Sequence, residues 1–150
     1  MNYCPRCGNK LVETTIDHNS VKECKNCMFI DWNNWIYISA VVVAYNSNNE
    51  FLMVRLKGKE EGKITFPGGF RDLGETLEEA TIREFYEETG NKIKNLELYK
   101  TYTKDDQRLV WIVYKTQIDQ VVFCENEEVS EIVFVSKENP IDLELLRGPL

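Results

Sequence analysis

Two sets of side chains in this sequence are spaced for chemistry: a carboxylate cluster and a cysteine quartet. Glu84, Glu87 and Glu88 stand at i, i+3 and i+4, with Arg83 beside them. On an α-helix this spacing gathers the carboxylates within about a 100° arc, where like charges repel. A solvated acidic face would be the plain explanation. The same arc, followed toward the N-terminus, carries Leu77, Ala80 and Thr81, which are apolar or small and expected to face protein. Carboxylates continuing a packed face need compensating charge. Hard divalent cations such as Mg²⁺ or Mn²⁺ take oxygen ligands and are often held by a few carboxylates plus substrate phosphates. Such an ion neutralises a diphosphate and activates water for in-line attack.

The second set is Cys4-x-x-Cys7 and Cys24-x-x-Cys27, separated by sixteen residues. In a reducing compartment such pairs read as metal ligands in preference to disulfides. Gly8 permits the tight turn that aims the first two sulfurs at one ion. Four thiolates in a tetrahedron are the usual closed form of structural Zn²⁺. Iron would suit the same sulfurs, and the spacing does not separate the two metals. Residues 1–34 are too few to build a sufficient core, so the metal is expected to supply their folding energy. His18, between the pairs, is expected at the surface. Cys124 is expected as a small buried residue in a strand, without a functional role.

The carboxylates require a helix, and its signals are local. Thr76 is a suitable N-cap, Glu79 completes a capping box, and Gly90 stands where a C′ glycine belongs. Strands are expected over residues 35–45, 50–55, 64–66, 96–103, 109–118, 121–124 and 131–135. Asn46–Asn49 supplies hairpin turn chemistry and Lys57–Lys63 forms a charged loop. A short helix near Asp142–Leu146 closes the chain. This order predicts an α/β (α+β) fold: a mixed sheet with one central and one terminal helix in an α/β/α arrangement.

The net charge is −7, and residues 36–150 carry all of it, fourteen Lys and Arg against twenty-one Asp and Glu. That argues against non-specific binding of nucleic acid or of a membrane surface, which calls for a basic face. The longest apolar run, Ile38–Tyr45, is too short to span a bilayer, and nothing at the start resembles a signal peptide. A cytoplasmic location is expected.

Gly69, Glu75 and Arg83-Glu84-Phe85-Tyr86-Glu87-Glu88-Thr89-Gly90 together resemble the Nudix box, Gly-x5-Glu-x7-Arg-Glu-U-x-Glu-Glu-x-Gly-U with U apolar. Every fixed residue is present. The last U position is Asn91, a polar departure from which a packing consequence is expected. The resemblance implies a Nudix α/β/α sandwich over residues 35–150, behind a zinc ribbon over residues 1–34. It implies hydrolysis of the pyrophosphate bond of a nucleoside diphosphate linked to another moiety. Glu84, Glu87, Glu88 and the Gly69 carbonyl would bind Mg²⁺ or Mn²⁺. Arg83 would orient a glutamate, and Glu75 would support the cluster. Relatives often place a further ligand or base where Glu125, Glu127 and Glu128 precede a strand; Glu128 is the choice here, against a solvated acidic turn. Gly74 is read as a turn residue.

The layout with Cys4, Cys7, Cys24 and Cys27 as Zn²⁺ ligands is similar to the NADH pyrophosphatase group. The Ser-Gln-Pro-Trp-type motif of that group is missing, because no proline occurs between Pro67 and Pro140. NADH or NAD⁺, ADP-ribose and related dinucleotides are the expected substrates, and capped RNA stays open. A nucleoside triphosphate pyrophosphohydrolase and a non-catalytic nucleotide sensor are the alternatives. The ribbon would pack on the catalytic domain or help form a homodimer. Trp35, Tyr45 and Trp111 are candidates to stack on a base, although Trp111 is expected in the core. Lys57, Lys59, Lys63 and Arg71 could meet phosphates or remain solvated loop charge.

Overall fold

The computed structural model describes residues 1–147; the last three positions of the expected second domain, 148–150, lie outside them. The chain divides into two compact units, Met1–Ile36 and a second beginning at Tyr37.

In the first unit, strands β1 (Val12–Ile16), β2 (Asn19–Glu23) and β3 (Ile30–Asp31) form an antiparallel sheet in that order. Asp17 and His18 turn the β1–β2 hairpin with positive φ, which leaves His18 exposed at its tip. The core is small: Cys4, Leu11 and Cys24, with Cys27 and Phe29 packed on them.

The second unit is built on a seven-stranded mixed sheet. Its path is β10 (Val129–Val135), β5 (Phe51–Leu56), β4 (Tyr37–Tyr45), β9 (Leu109–Gln117), β8 (Glu97–Lys104); β6 (Ile64–Thr65) pairs with β5 and β7 (Gly68–Phe70) with β4. Within it β4 and β9 run parallel. Helix α1 (Leu77–Thr89) begins with the expected capping box, Thr76 Oγ1 accepting from Glu79 N–H and Glu79 Oε2 from Thr76 N–H. It ends at Gly90, which is left-handed with φ 73°. Alternation along β4 sends Val42 and Ala44 to the side of Phe85 of α1, where Leu52, Val54, Tyr114 and Val129 complete the core. Val41, Val43 and Tyr45 point to the opposite face.

Three details depart from the sequence reading. The expected terminal helix is a single 3₁₀ turn, Leu143–Leu145. After that turn Leu146 bridges to Ile64 and Arg147 N–H donates to the Ile64 carbonyl, which takes the backbone out of helical pairing. Among the described residues α1 is therefore the one α-helix, and a second helical layer is not formed. Residues 121–124 form no strand, because the N–H and C=O of Val122 are taken by the side chain of Asn91 in place of a neighbouring strand. Cys124 is accordingly exposed, not buried. No helix among the described residues is long and apolar enough to cross a membrane.

Candidate functional site

The carboxylate cluster is assembled by α1 and β7, which lies against it. Thr81, Phe85, Glu88 and Thr89 are buried along one stripe of the helix. Glu88 is thereby drawn inward, and its Oε2 accepts from Gly68 N–H at 3.0 Å. Burial pushes the Glu88 carboxyl up to about 8, against that hydrogen bond. Glu84 is half-buried above Gly69. A Cβ at Gly69 would lie 2.5 Å from each Glu84 carboxylate oxygen, so a glycine there leaves room for the carboxylate. Burial also raises Glu84, while Arg83 acts the other way. Glu87 is at the solvent edge of the helix, so two of the three glutamates continue the packed face and the third does not.

Arg83 is the hub. Its Nη1 donates to Glu84 Oε1 (2.8 Å) and Glu87 Oε2 (3.2 Å), and its Nη2 to the Phe70 carbonyl (3.1 Å). Nε and Nη2 grip both oxygens of Glu75, at 3.1 and 2.7 Å, the bidentate geometry a planar guanidinium favours. Hydrogen bonding to Arg83 holds Glu75 down at about 2, helped by Asp72 N–H. Glu75 in turn raises Arg83. The helix glutamates are thus fanned out onto Arg83 and Gly68.

The Gly69 carbonyl accepts from the Ser39 hydroxyl at 3.1 Å; a carbonyl has a second lone pair for another partner. Glu128 is exposed on the turn before β10. Asn126, two residues before it, donates to the Glu88 carbonyl, so this turn is tied to the last turn of α1.

Two cavities flank this arrangement on the helix-free face of the sheet. The smaller, about 310 Å³, runs past Ser39, Gly68, Gly69, Phe70, Lys104 and Arg147. The larger, about 600 Å³, is apolar and aromatic, with Tyr45, Phe51, Phe66, Tyr99, Tyr102 and Trp111 among its walls. Val41, Phe66, Lys104 and Trp111 line both. Trp111 is therefore a cavity wall and not a core residue. It stands opposite Ser39 in the β4–β9 ladder, on the face that α1 does not cover.

Lys104 lies over the Trp111 ring at 3.9 Å, and Arg147 pairs with Glu60 at 2.5 Å. Sequence reasoning missed Ser39, Lys104 and Arg147, because each is far from the box and no local pattern marks it. Three of the four loop cations it did name have partners within the protein. Lys57 pairs with Glu125, Lys63 donates to the Glu144 carbonyl, and Arg71 donates to the Glu75 carbonyl. Lys59 is exposed.

In the first unit the four sulfurs of Cys4, Cys7, Cys24 and Cys27 lie within 4.8 Å of one another, a set that could hold a metal ion. Two matching turns present them. Gly8 N–H donates to Cys4 O and Met28 N–H to Cys24 O, and both residues have positive φ, 74° and 62°. Met28 does for the second pair what glycine does for the first. Hydrogen bonds from Asn9 lower the Cys7 thiol, while Cys27, despite a backbone hydrogen bond from Phe29, is raised by the neighbouring thiols and by burial, as expected of four thiols crowded together.

A family model described as the NUDIX domain matches residues 36–147. The NAD-capped RNA hydrolase NudC of Vibrio atlanticus (strain LGP32) is 30% identical over 100 residues, 66% of this chain and 35% of that protein. The protein of the same name from Haemophilus influenzae (strain PittEE) is 26% identical over 144 residues, 93% of this chain and 53% of that protein. The chain thus spans about a third to a half of the length of the curated relatives it matches. Among solved structures, a NUDIX hydrolase from Nitrosomonas europaea superposes with a TM-score of 0.78 at 21% identity, over 97% of this chain and 83% of that one. At that identity the likeness is one of fold. The MutT protein from Methanosarcina mazei Go1 gives 0.61 at 25% identity, over 75% of this chain and 85% of its own.

Proposed function

We propose that this chain, which belongs to the Nudix family, is a divalent-metal-dependent pyrophosphohydrolase that cleaves a nucleoside diphosphate linked to a second moiety, with NAD-type dinucleotides as the favoured class. The observation that carries the reading is the pair of half-buried and buried carboxylates, Glu84 and Glu88, held over the Gly68–Gly69 backbone beside a cavity of about 310 Å³.

The donor set fits Mg²⁺ or Mn²⁺. Glu84, Glu87, Glu88 and the Gly69 carbonyl are all hard oxygens, the Gly69 position leaves space for the Glu84 carboxylate, and burial disfavours two negative charges that a cation would offset. When bound, such an ion neutralises the diphosphate and activates the attacking water. Arg83 keeps Glu84 and Glu87 in register, and Glu75 anchors Arg83. Glu128 takes the proton of the attacking water. Lys104 and Arg147 face the phosphates across the smaller cavity, and the aromatic groove seats a base or nicotinamide ring.

Residues 1–34 act as a zinc ribbon and residues 35–150 as the hydrolase domain. Four gathered free thiols fit Zn²⁺ better than a harder ion and suit the reducing cytoplasm. The names of the NudC relatives extend the substrate class to NAD-capped RNA.

The test is a panel of NADH, NAD⁺, ADP-ribose, diadenosine polyphosphates, (d)NTPs and NAD-capped RNA with Mg²⁺ and Mn²⁺. Turnover of a dinucleotide class that is lost in Glu87→Gln, an exposed position at which the fold is undisturbed, supports the reading. Preference for (d)NTPs moves the assignment to a triphosphate pyrophosphohydrolase. Tight nucleotide binding without any turnover makes the protein a sensor.

A further inference from the structure

Asn91 occupies the box position that the Nudix pattern reserves for an apolar residue, and its side chain is fully employed. Its Nδ2 donates to the carbonyls of Thr89 (2.8 Å) and Val122 (2.9 Å), and its Oδ1 accepts from Val122 N–H at 3.1 Å. One primary amide thus pairs with Val122 in both directions, as a neighbouring strand would. A second asparagine makes a parallel link. Asn126 Nδ2 donates to the carbonyl of Glu88 (3.0 Å), and its Oδ1 accepts from the N–H groups of Glu128 (3.0 Å) and Val129 (2.9 Å).

Both links start in the last turn of α1 or just past its cap, and both end on the segment that leads into β10. The segment has no ladder of its own over residues 118–128. Val121 and Phe123 pack against the core, and the register of the segment relative to the helix is fixed further by these two amides and by Lys57, whose N–H donates to Glu128 O at 2.9 Å and whose Nζ donates to Asn126 O at 2.7 Å.

We infer that Asn91 is a positioning residue: with Asn126 it ties the 118–128 segment to the end of α1 and so fixes where the Glu128 backbone stands relative to the Glu88 turn. This rests on the reading of Glu128 as the base in the proposed function. An apolar residue at 91, as the family pattern has it, would support the helix end but would leave Val122 without its two-way link to that end. Val122 is 79% exposed, so water replaces the lost amide partner at little cost to folding. The effect therefore falls on geometry at the site.

The test is Asn91→Leu, assayed on the substrate selected by the panel, alone and in combination with Glu128→Gln. The expected result is a fall in kcat of about tenfold or more, the scale of a sub-ångström to ångström displacement of a reacting group. KM should stay within about twofold and the circular dichroism spectrum should be unchanged. In the Glu128→Gln background the same substitution should produce no further loss, because Asn91 acts through Glu128. Equal losses in the two backgrounds, a change in KM with kcat intact, or no change at all would overturn the clamp. Wild-type kcat in Glu128→Gln alone would remove the base assignment and the clamp with it, while leaving the hydrolase reading standing on Glu87→Gln.

Discussion

Gly68 and Gly69 are adjacent, but alanine at each position should have opposite consequences. At Gly69 the atoms nearest a new Cβ belong to the end of a flexible side chain, the Glu84 carboxyl group, with its carbon at 2.3 Å and each oxygen at 2.5 Å. The backbone is held in the β4–β7 ladder opposite Ala40 and its carbonyl accepts from Ser39, so the carboxylate is the part that moves. Glu84 then loses its 2.8 Å hydrogen bond to Arg83. For a charge-assisted bond with one partner partly in solvent this costs about 1 kcal/mol of stability. Displacing one carboxylate by an ångström or more costs turnover about a hundredfold.

At Gly68 the Cβ would lie 2.7 Å from the Val41 Cα, a backbone atom in the middle of β4 that cannot swing aside. Forcing the two strands apart costs about 1–3 kcal/mol or more and disturbs the Gly68 N–H that holds Glu88. Thermal melts and steady-state turnover with Mg²⁺ on the two purified variants separate the cases. Gly69→Ala should melt within a few degrees of wild type and be nearly inactive, whereas Gly68→Ala should melt well below it. A fully active Gly69→Ala protein would refute the placement of Glu84 in the chemistry. An inactive one whose loss is accounted for by unfolding would instead refute the argument that the carboxylate, and not the backbone, gives way to the new Cβ.

Glu88 gives a pH signature. Its folded value of about 8 lies above the ordinary 4.5, so the folded state prefers the protonated form. That stabilisation is fully present below about pH 4.5 and is lost as pH rises through about 8. In chelator the melting temperature should therefore fall between about pH 4.5 and about 8 and level off above, and Glu88→Gln should flatten this fall; an unchanged slope in that variant would count against the burial argument. Cys24 is fully buried in the thiol quartet. Cys24→Ser should lower bound zinc from about one ion per chain to near zero by elemental analysis. Retention of full zinc content would show that the metal sits elsewhere.

The sequence by itself determined the features that arise from neighbours along the chain. The Thr76–Glu79 capping box, the Gly90 terminus and the i, i+3, i+4 spacing of Glu84, Glu87 and Glu88 are local, and α1 forms with those bounds. The two Cys-x-x-Cys turns are local as well, although Met28 in a left-handed turn carries no signal of the kind that Gly8 does. Tertiary structure decided what depends on partners far along the chain. Packing of α1 on the sheet turned Glu88 inward and left Glu87 in solvent. The parallel pairing of β4 with β9 set Trp111 beside Ser39 as a cavity wall, where its apolar setting in sequence suggested core. The side chain of Asn91 replaced a strand partner for Val122, so a run that reads as β in sequence forms no strand, although Val121 and Phe123 still pack against the core. Hydrogen bonding between residues thirty-one positions apart overrode local β propensity there, because a backbone needs its polar groups satisfied and accepts an amide side chain as readily as another strand.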